Sequence, residues 1–137
     1  MSSSETDLGK VLLVDDEYSA HLTLKRLLEN QNLAIDSAFS AEEALEKIST
    51  DYDLVISDIR MPGMNGVSLL RCIKERLPNI EVLILTGYSS AEDTIVSMTS
   101  GAGEYLTKPI EDKNEFITRV FKGIKVARMR SKKPINF

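Results

Sequence analysis

Five side chains in this sequence have the types and the placement to do chemistry together: Asp15 and Asp16 in "LVDDE", Asp58 in "VISD", Thr86 in "LILTG" and Lys108 in "YLTKP". Each lies at the end of a short apolar segment. Three carboxylates gathered without compensation would repel and raise the pKa of at least one, so such a cluster recruits a cation. Oxygen ligands with room for water suit Mg²⁺ (or Mn²⁺), which typically takes one or two carboxylates plus phosphate oxygens. A phosphoryl group is the natural remaining ligand. If one Asp attacks a phosphoryl donor, the ion neutralises charge on its oxygens, and a hydroxyl and an ammonium take the others: Thr86 and Lys108 carry those groups.

The elements that must bring these residues together follow from periodicity. Five short stretches rich in Val, Ile and Leu alternate with five stretches of helical spacing, the pattern of an α/β protein whose parallel sheet is joined by crossover helices. The predicted strands are 10–14, 33–38, 54–57, 82–86 and 104–107. In the first helix Ala20, Leu24, Leu27 and Leu28 share one face, and Leu22 points elsewhere. The second helix opens with the capping pattern Ser40-Ala41-Glu42-Glu43 and is expected over 41–50. The third runs over 67–77 and stops before Pro78. The fourth covers 91–100, with Ser89 and Ser90 as rival caps, and the fifth starts near Asn114 and presents Ile117, Val120, Phe121 and Ile124 together.

Right-handed crossovers put the C-terminal ends of all parallel strands on one edge. The second strand ends in Ala38-Phe39, with nothing reactive. It fits an edge position in a (βα)5 doubly wound sheet of order 2-1-3-4-5, with ligands binding at the switch point between strands one and three.

Composition bounds the rest. The 137 residues make one domain large enough to bury a core, with 42% hydrophobic and 28% charged residues. No apolar run approaches the roughly 20 residues of a membrane span, and the N-terminus lacks the pattern of a signal peptide, so no membrane role and a cytoplasmic location are expected. The single Cys72 reads as packing. Net charge is −4, divided between a formal −11 over residues 1–118 and +7 beyond, where seven of the 17 Lys and Arg meet no Asp or Glu. An acidic body argues against direct nucleic acid binding, and the basic end lacks the aromatic interleaving of a recognition module.

Together "VDDE" at 14–17, "DIRMPGMNG" at 58–66, "LTGY" at 85–88 and "GEYLTKP" at 103–109 make the chain resemble the response-regulator receiver domain of two-component signalling, over roughly residues 9–127. The resemblance implies a CheY-like, flavodoxin-like fold and a switch rather than a turnover enzyme. In it Asp58 accepts a phosphoryl group from a sensor histidine kinase or a phosphotransfer protein. Asp16 and Asp58 would hold Mg²⁺ with the backbone carbonyl of Arg60, and Asp15 would act on the ion largely through water. Lys108 would contact the phosphoryl oxygens. Thr86 would move to hydrogen-bond them and Tyr105 would turn inward, reshaping the face of the fourth helix, fifth strand and fifth helix. The Lys108-Pro109 bond is expected cis. The Arg60 and Tyr88 side chains would border the path of attacking water, with the bulk of Tyr88 slowing hydrolysis. Leu22 would dock the kinase's helical bundle.

Taken singly, each residue has a plainer reading: a solvated carboxylate, a surface lysine, a threonine in a strand. Met61, Pro62, Gly63, Asn65 and Gly66 read as turn chemistry. His21, the only histidine, is expected to face solvent. Two other classes use related parts. A phosphohydrolase of the haloacid-dehalogenase type wants a second acid two residues after its nucleophile, where Asp58 has Arg60, and a flavin phosphate would not favour clustered carboxylates. Residues 1–8 are expected to be disordered, the domain to cover 9–128, and 129–137 to form a basic tail or truncated linker. Helix five is expected to run to about Arg128. The chain then reads either as a free-standing receiver or as the N-terminal receiver of a longer regulator or hybrid kinase with a downstream output domain. Whether phosphorylation also drives a homodimer stays open at this level.

Overall fold

The computed structural model describes residues 8–87 and 90–137. Its elements are β1 (Gly9–Val14), α1 (Tyr18–Leu27), β2 (Leu33–Ala38), α2 (Ala41–Lys47), β3 (Leu54–Ser57), α3 (Gly66–Arg76), β4 (Glu81–Thr86), α4 (Ala91–Thr99), β5 (Glu104–Thr107) and α5 (Lys113–Ser131). Every strand pairing is parallel and the order is β2-β1-β3-β4-β5, as the empty end of the second strand indicated.

Side chains of the central strands alternate between two buried layers, as a pleated strand with helices on both faces requires. Leu12, Val14, Val55, Val82 and Ile84 pack against α2 and α3 through Ala41, Ala44, Leu69, Leu70 and Ile73. Val11, Leu13, Leu54, Ile56, Leu83 and Leu85 pack against α1 and α5 through Leu24, Leu28, Phe116, Val120 and Ile124. Side-chain caps start four of the helices. Ser40, Asn65, Ser90 and Asp112 each accept a backbone N–H from three residues on, at 2.9–3.0 Å. Ser90 is thus the cap of α4; its rival Ser89 lies outside the described residues, as do residues 1–7. Leu8 donates its N–H to Asn32 O at 2.7 Å and so is tied to the fold.

Two helices, α2 and α5, end three residues away from expectation, at Lys47 and Ser131. The second helix stops at Lys47, because Ile48 turns to extended geometry (ψ 137°) and packs on the core cluster beneath α2. In the other direction α5 runs three residues past Arg128, and the chain beyond it is held in place. Lys132 closes the helix in the left-handed region (φ 57°), and the Lys133 N–H returns to Arg128 O at 2.9 Å. The cause is a pair of acids at the N-terminal edge of the sheet. Asp53, 1% exposed just before β3, accepts from the Lys10 N–H at 2.9 Å and pairs with Arg128 at 3.1 Å and Lys133 at 3.7 Å. Glu81, opening β4, pairs with Arg130 at 3.2 Å and Lys74 at 3.7 Å. Phe137 then packs edge-on against Phe121, ring centroids 4.9 Å apart. Among the described residues no helix is long and apolar enough to cross a membrane.

Candidate functional site

Backbone hydrogen bonds between neighbouring strand ends assemble the opposite, C-terminal edge. The N–H of Asp15 bonds to Ala38 O at 3.2 Å, that of Asp58 to Val14 O at 3.0 Å and that of Lys108 to Thr86 O at 2.8 Å. Residues 93 apart in sequence therefore meet. Lys108 Nζ lies 2.7 Å from Asp15 Oδ2 and 3.1 Å from Asp58 Oδ2, bridging the two carboxylates. Burial pushes the Lys108 ammonium down, but hydrogen bonds and charge from Asp15 and then Asp58 more than reverse this, holding its pKa above the usual lysine value.

The remaining carboxylate oxygens are oriented by backbone. Asp58 Oδ1 accepts from the Ile59 N–H at 2.7 Å and the Arg60 N–H at 3.3 Å, and Asp15 Oδ1 accepts from the Glu17 N–H at 2.9 Å. The turn after Asp58 is close-packed. A Cβ on Gly66 would stand 2.0 Å from the Asp58 carbonyl oxygen, so only glycine lets α3 begin there. Its N–H donates to Ile59 O at 2.8 Å. From α2, Glu42 Oε2 holds the same loop by accepting from the Met64 N–H at 3.2 Å.

The predicted site residues fall as follows. Asp15, Asp58 and Lys108 are in direct contact, and Thr86 is fully buried at the end of β4 beside them. Asp16 is exposed on the rim. Among the described residues no three acidic, His or Cys side chains are grouped closely enough to enclose a metal ion. One exposed and two largely buried carboxylates still suit a hard cation that keeps several waters and borrows oxygens from its substrate, rather than an all-protein cage. Tyr105 stands half-buried on β5, paired with Ile84 and packed against the layer containing α3. The Arg60 side chain reaches Asp93 in the first turn of α4 at 3.5 Å. The Lys108-Pro109 peptide is cis. Leu22 is 47% exposed, away from Leu24 and Leu28 on α1. Tyr88 lies outside the described residues.

His21 corrects an expectation. It does not face solvent: it is 1% exposed, with Nε2 2.8 Å from the Asp15 carbonyl oxygen and Nδ1 2.9 Å from Ser37 Oγ. The signal was present in the spacing, since 21, 24 and 28 stand at i, i+3 and i+7 and so share the packing face of α1. The Arg60–Asp93 and Glu42–Met64 contacts had no such signal, because each joins a loop to a helix distant in sequence.

The sequence model of the response regulator receiver domain matches residues 11–121. The chain belongs to that family. It is 39% identical over 112 residues to the transcriptional regulatory protein ZraR of Klebsiella oxytoca, an alignment covering 81% of this chain and 25% of that protein. It is 35% identical over 129 residues to the CpxR homolog, a transcriptional regulatory protein of Haemophilus influenzae, covering 94% of this chain and 54% of the relative. Among solved structures, a response regulator receiver domain from Clostridium thermocellum superposes with a TM-score of 0.78 at 34% identity, covering 91% of this chain and 98% of that one. The chain thus spans between a quarter and about half the length of these curated relatives.

Proposed function

We propose that this chain is a cytoplasmic, phosphorylation-operated switch in which Asp58 accepts a phosphoryl group, with Mg²⁺ or Mn²⁺, from the histidine of a sensor kinase or phosphotransfer protein. The observation that carries the reading is the Lys108 ammonium bridging Asp15 and Asp58 across the switch point of the sheet. A carboxylate oxygen of Asp58 attacks phosphorus and the P–N bond to the donor imidazole breaks. The bonding pair returns to the ring nitrogen, and an acyl phosphate is left on Asp58. Asp16, Asp58 and the Arg60 carbonyl would hold a divalent ion, with Asp15 acting on it through water, and the ion would supply charge neutralisation on the transferred group.

Lys108 is held protonated and aimed at the acceptor, so its ammonium is in place to take a phosphoryl oxygen without reorganising. Thr86 supplies a hydroxyl at the end of the neighbouring strand, and Tyr105 follows it in reshaping the surface of α4, β5 and α5. Phosphate need only favour one of two pre-existing states by a few kcal/mol to operate such a switch. Because the relatives are transcriptional regulators much longer than this chain, we read it as the N-terminal receiver of a longer regulator. Leu22 is the exposed apolar contact offered to the kinase. Arg60 and Tyr88 border the hydrolytic path and set the lifetime of the phosphate.

The test is intact mass after incubation with Mg²⁺ and a small acyl-phosphate donor. One phosphoryl adduct that disappears in Asp58→Asn supports the reading. No adduct, with a donor that labels another acceptor, or an adduct surviving that substitution, overturns it.

A further inference from the structure

The corner between β1 and α1 carries Asp15 and Asp16, yet α1 begins without the side-chain cap that starts each of the other four helices. Its N-cap, Glu17, makes no capping bond, and its own N–H turns back to Asp15 Oδ1. What fastens this corner instead comes from one turn further on. We propose that His21 is a positioning residue that holds the Asp15-Asp16 corner in the shape a divalent cation needs, by donating a hydrogen bond from Nε2 to the Asp15 carbonyl oxygen. The inference rests on the phosphoacceptor reading of the site for its purpose, and on geometry alone for its mechanism.

A carbonyl oxygen only accepts, so Nε2 must carry the hydrogen in either protonation state of the ring. Three neighbours fix the ring itself. Nδ1 sits 2.9 Å from Ser37 Oγ on β2, the Phe39 ring lies 4.3 Å away between centroids, and the backbone of α1 holds the side chain's base. The Asp15 carbonyl and the Asp16 N–H belong to one planar peptide unit. Pinning that carbonyl therefore fixes the last torsion of Asp15 and orients the start of Asp16, whose exposed carboxylate has no β-strand to place it. The Asp15 N–H is already tied to Ala38 O and its carboxylate to Lys108 and Glu17. With His21 on the carbonyl, every polar group of Asp15 has a partner, and the Asp15-Asp16 peptide cannot turn without breaking a buried hydrogen bond.

Two polar substitutions separate this role from packing. In His21→Gln the side-chain amide nitrogen reaches the position of Nε2 and can still donate to Asp15. In His21→Asn it reaches only the position of Nδ1 beside Ser37. Mg²⁺ affinity of the unphosphorylated full chain, measured by titration calorimetry, should fall about tenfold in His21→Asn and stay within about threefold of wild type in His21→Gln. A second readout needs no metal: hydrogen exchange at the Glu17 amide should be faster in His21→Asn than in His21→Gln. Equal affinity and equal exchange in the two variants would overturn the proposal. If wild type binds no Mg²⁺, the reading of the site fails, and the Glu17 amide still decides whether His21 holds the corner.

Discussion

At the N-terminal edge of the sheet, Asp53 and Glu81 are met by four cations, Arg128, Lys133, Arg130 and Lys74. At the C-terminal edge, Asp15 and Asp58 share one ammonium, Lys108, with Asp16 exposed beside them. The same residue types serve opposite ends. Where acids are more than matched, charge is spent inside the molecule: the basic end of the chain is fastened to the sheet, and residues that look like a solvated tail in sequence become part of the fold. Where acids are left in excess, Asp15 and Asp58 are held in place by backbone donors and Lys108. In the function proposed above, that excess is what a divalent ion and a phosphoryl group would complete.

The contrast is broken most sharply by making one substitution at both edges. Asp53→Asn removes the charge opposite Arg128 and Lys133 in a site 1% exposed, and should cost about 3 kcal/mol, read as a lower urea midpoint at unchanged slope. Asp58→Asn relieves crowding with Asp15 and should cost nothing or stabilise slightly in the absence of ions. A comparable loss at both positions would erase the distinction.

A smaller effect is expected from pH. Because the Lys108 pKa is raised in the folded state, its contribution is complete below the ordinary lysine value of about 10.4 and is lost as pH climbs through the higher folded value. The stability gap between wild type and Lys108→Met should therefore be flat from about pH 7 to 9 and close only above about 10.5. A gap that closes near neutral pH would contradict the bridge. The least effect is at Arg130, whose side chain is 42% exposed: Arg130→Ala should change stability by under about 0.5 kcal/mol.

How far the sequence discloses this arrangement depends on the range of the interactions involved. The strands were legible from runs such as Val11 to Val14 and Val82 to Leu85, because burial on both faces writes itself into consecutive residues. The edge position of β2 followed from the absence of chemistry after Ala38. The meeting of Asp58 and Lys108 is legible because parallel topology collects strand ends on one edge, whatever lies between them. The N-terminal edge has no comparable rule. Nothing local tells Asp53 from any aspartate before a strand, and its partner Arg128 lies 75 residues on. The sequence therefore marks neither the continuation of α5 to Ser131 nor the anchoring of Lys133 on Asp53. His21 differs for another reason: its polarity suggests solvent while its helical spacing with Leu24 and Leu28 points inward, and a buried histidine with both nitrogens engaged is as much a core residue as they are.

The most direct test of the difference between the edges is the response of stability to Mg²⁺. An ion that binds only the folded state at ten times its dissociation constant stabilises by about 1.4 kcal/mol. Mg²⁺ should raise the urea midpoint of wild type, do the same for Asp53→Asn from its lower starting value, and leave Asp16→Asn and Asp58→Asn essentially unmoved. A wild type indifferent to Mg²⁺, or an increment that persists in Asp58→Asn and vanishes in Asp53→Asn, would contradict that difference.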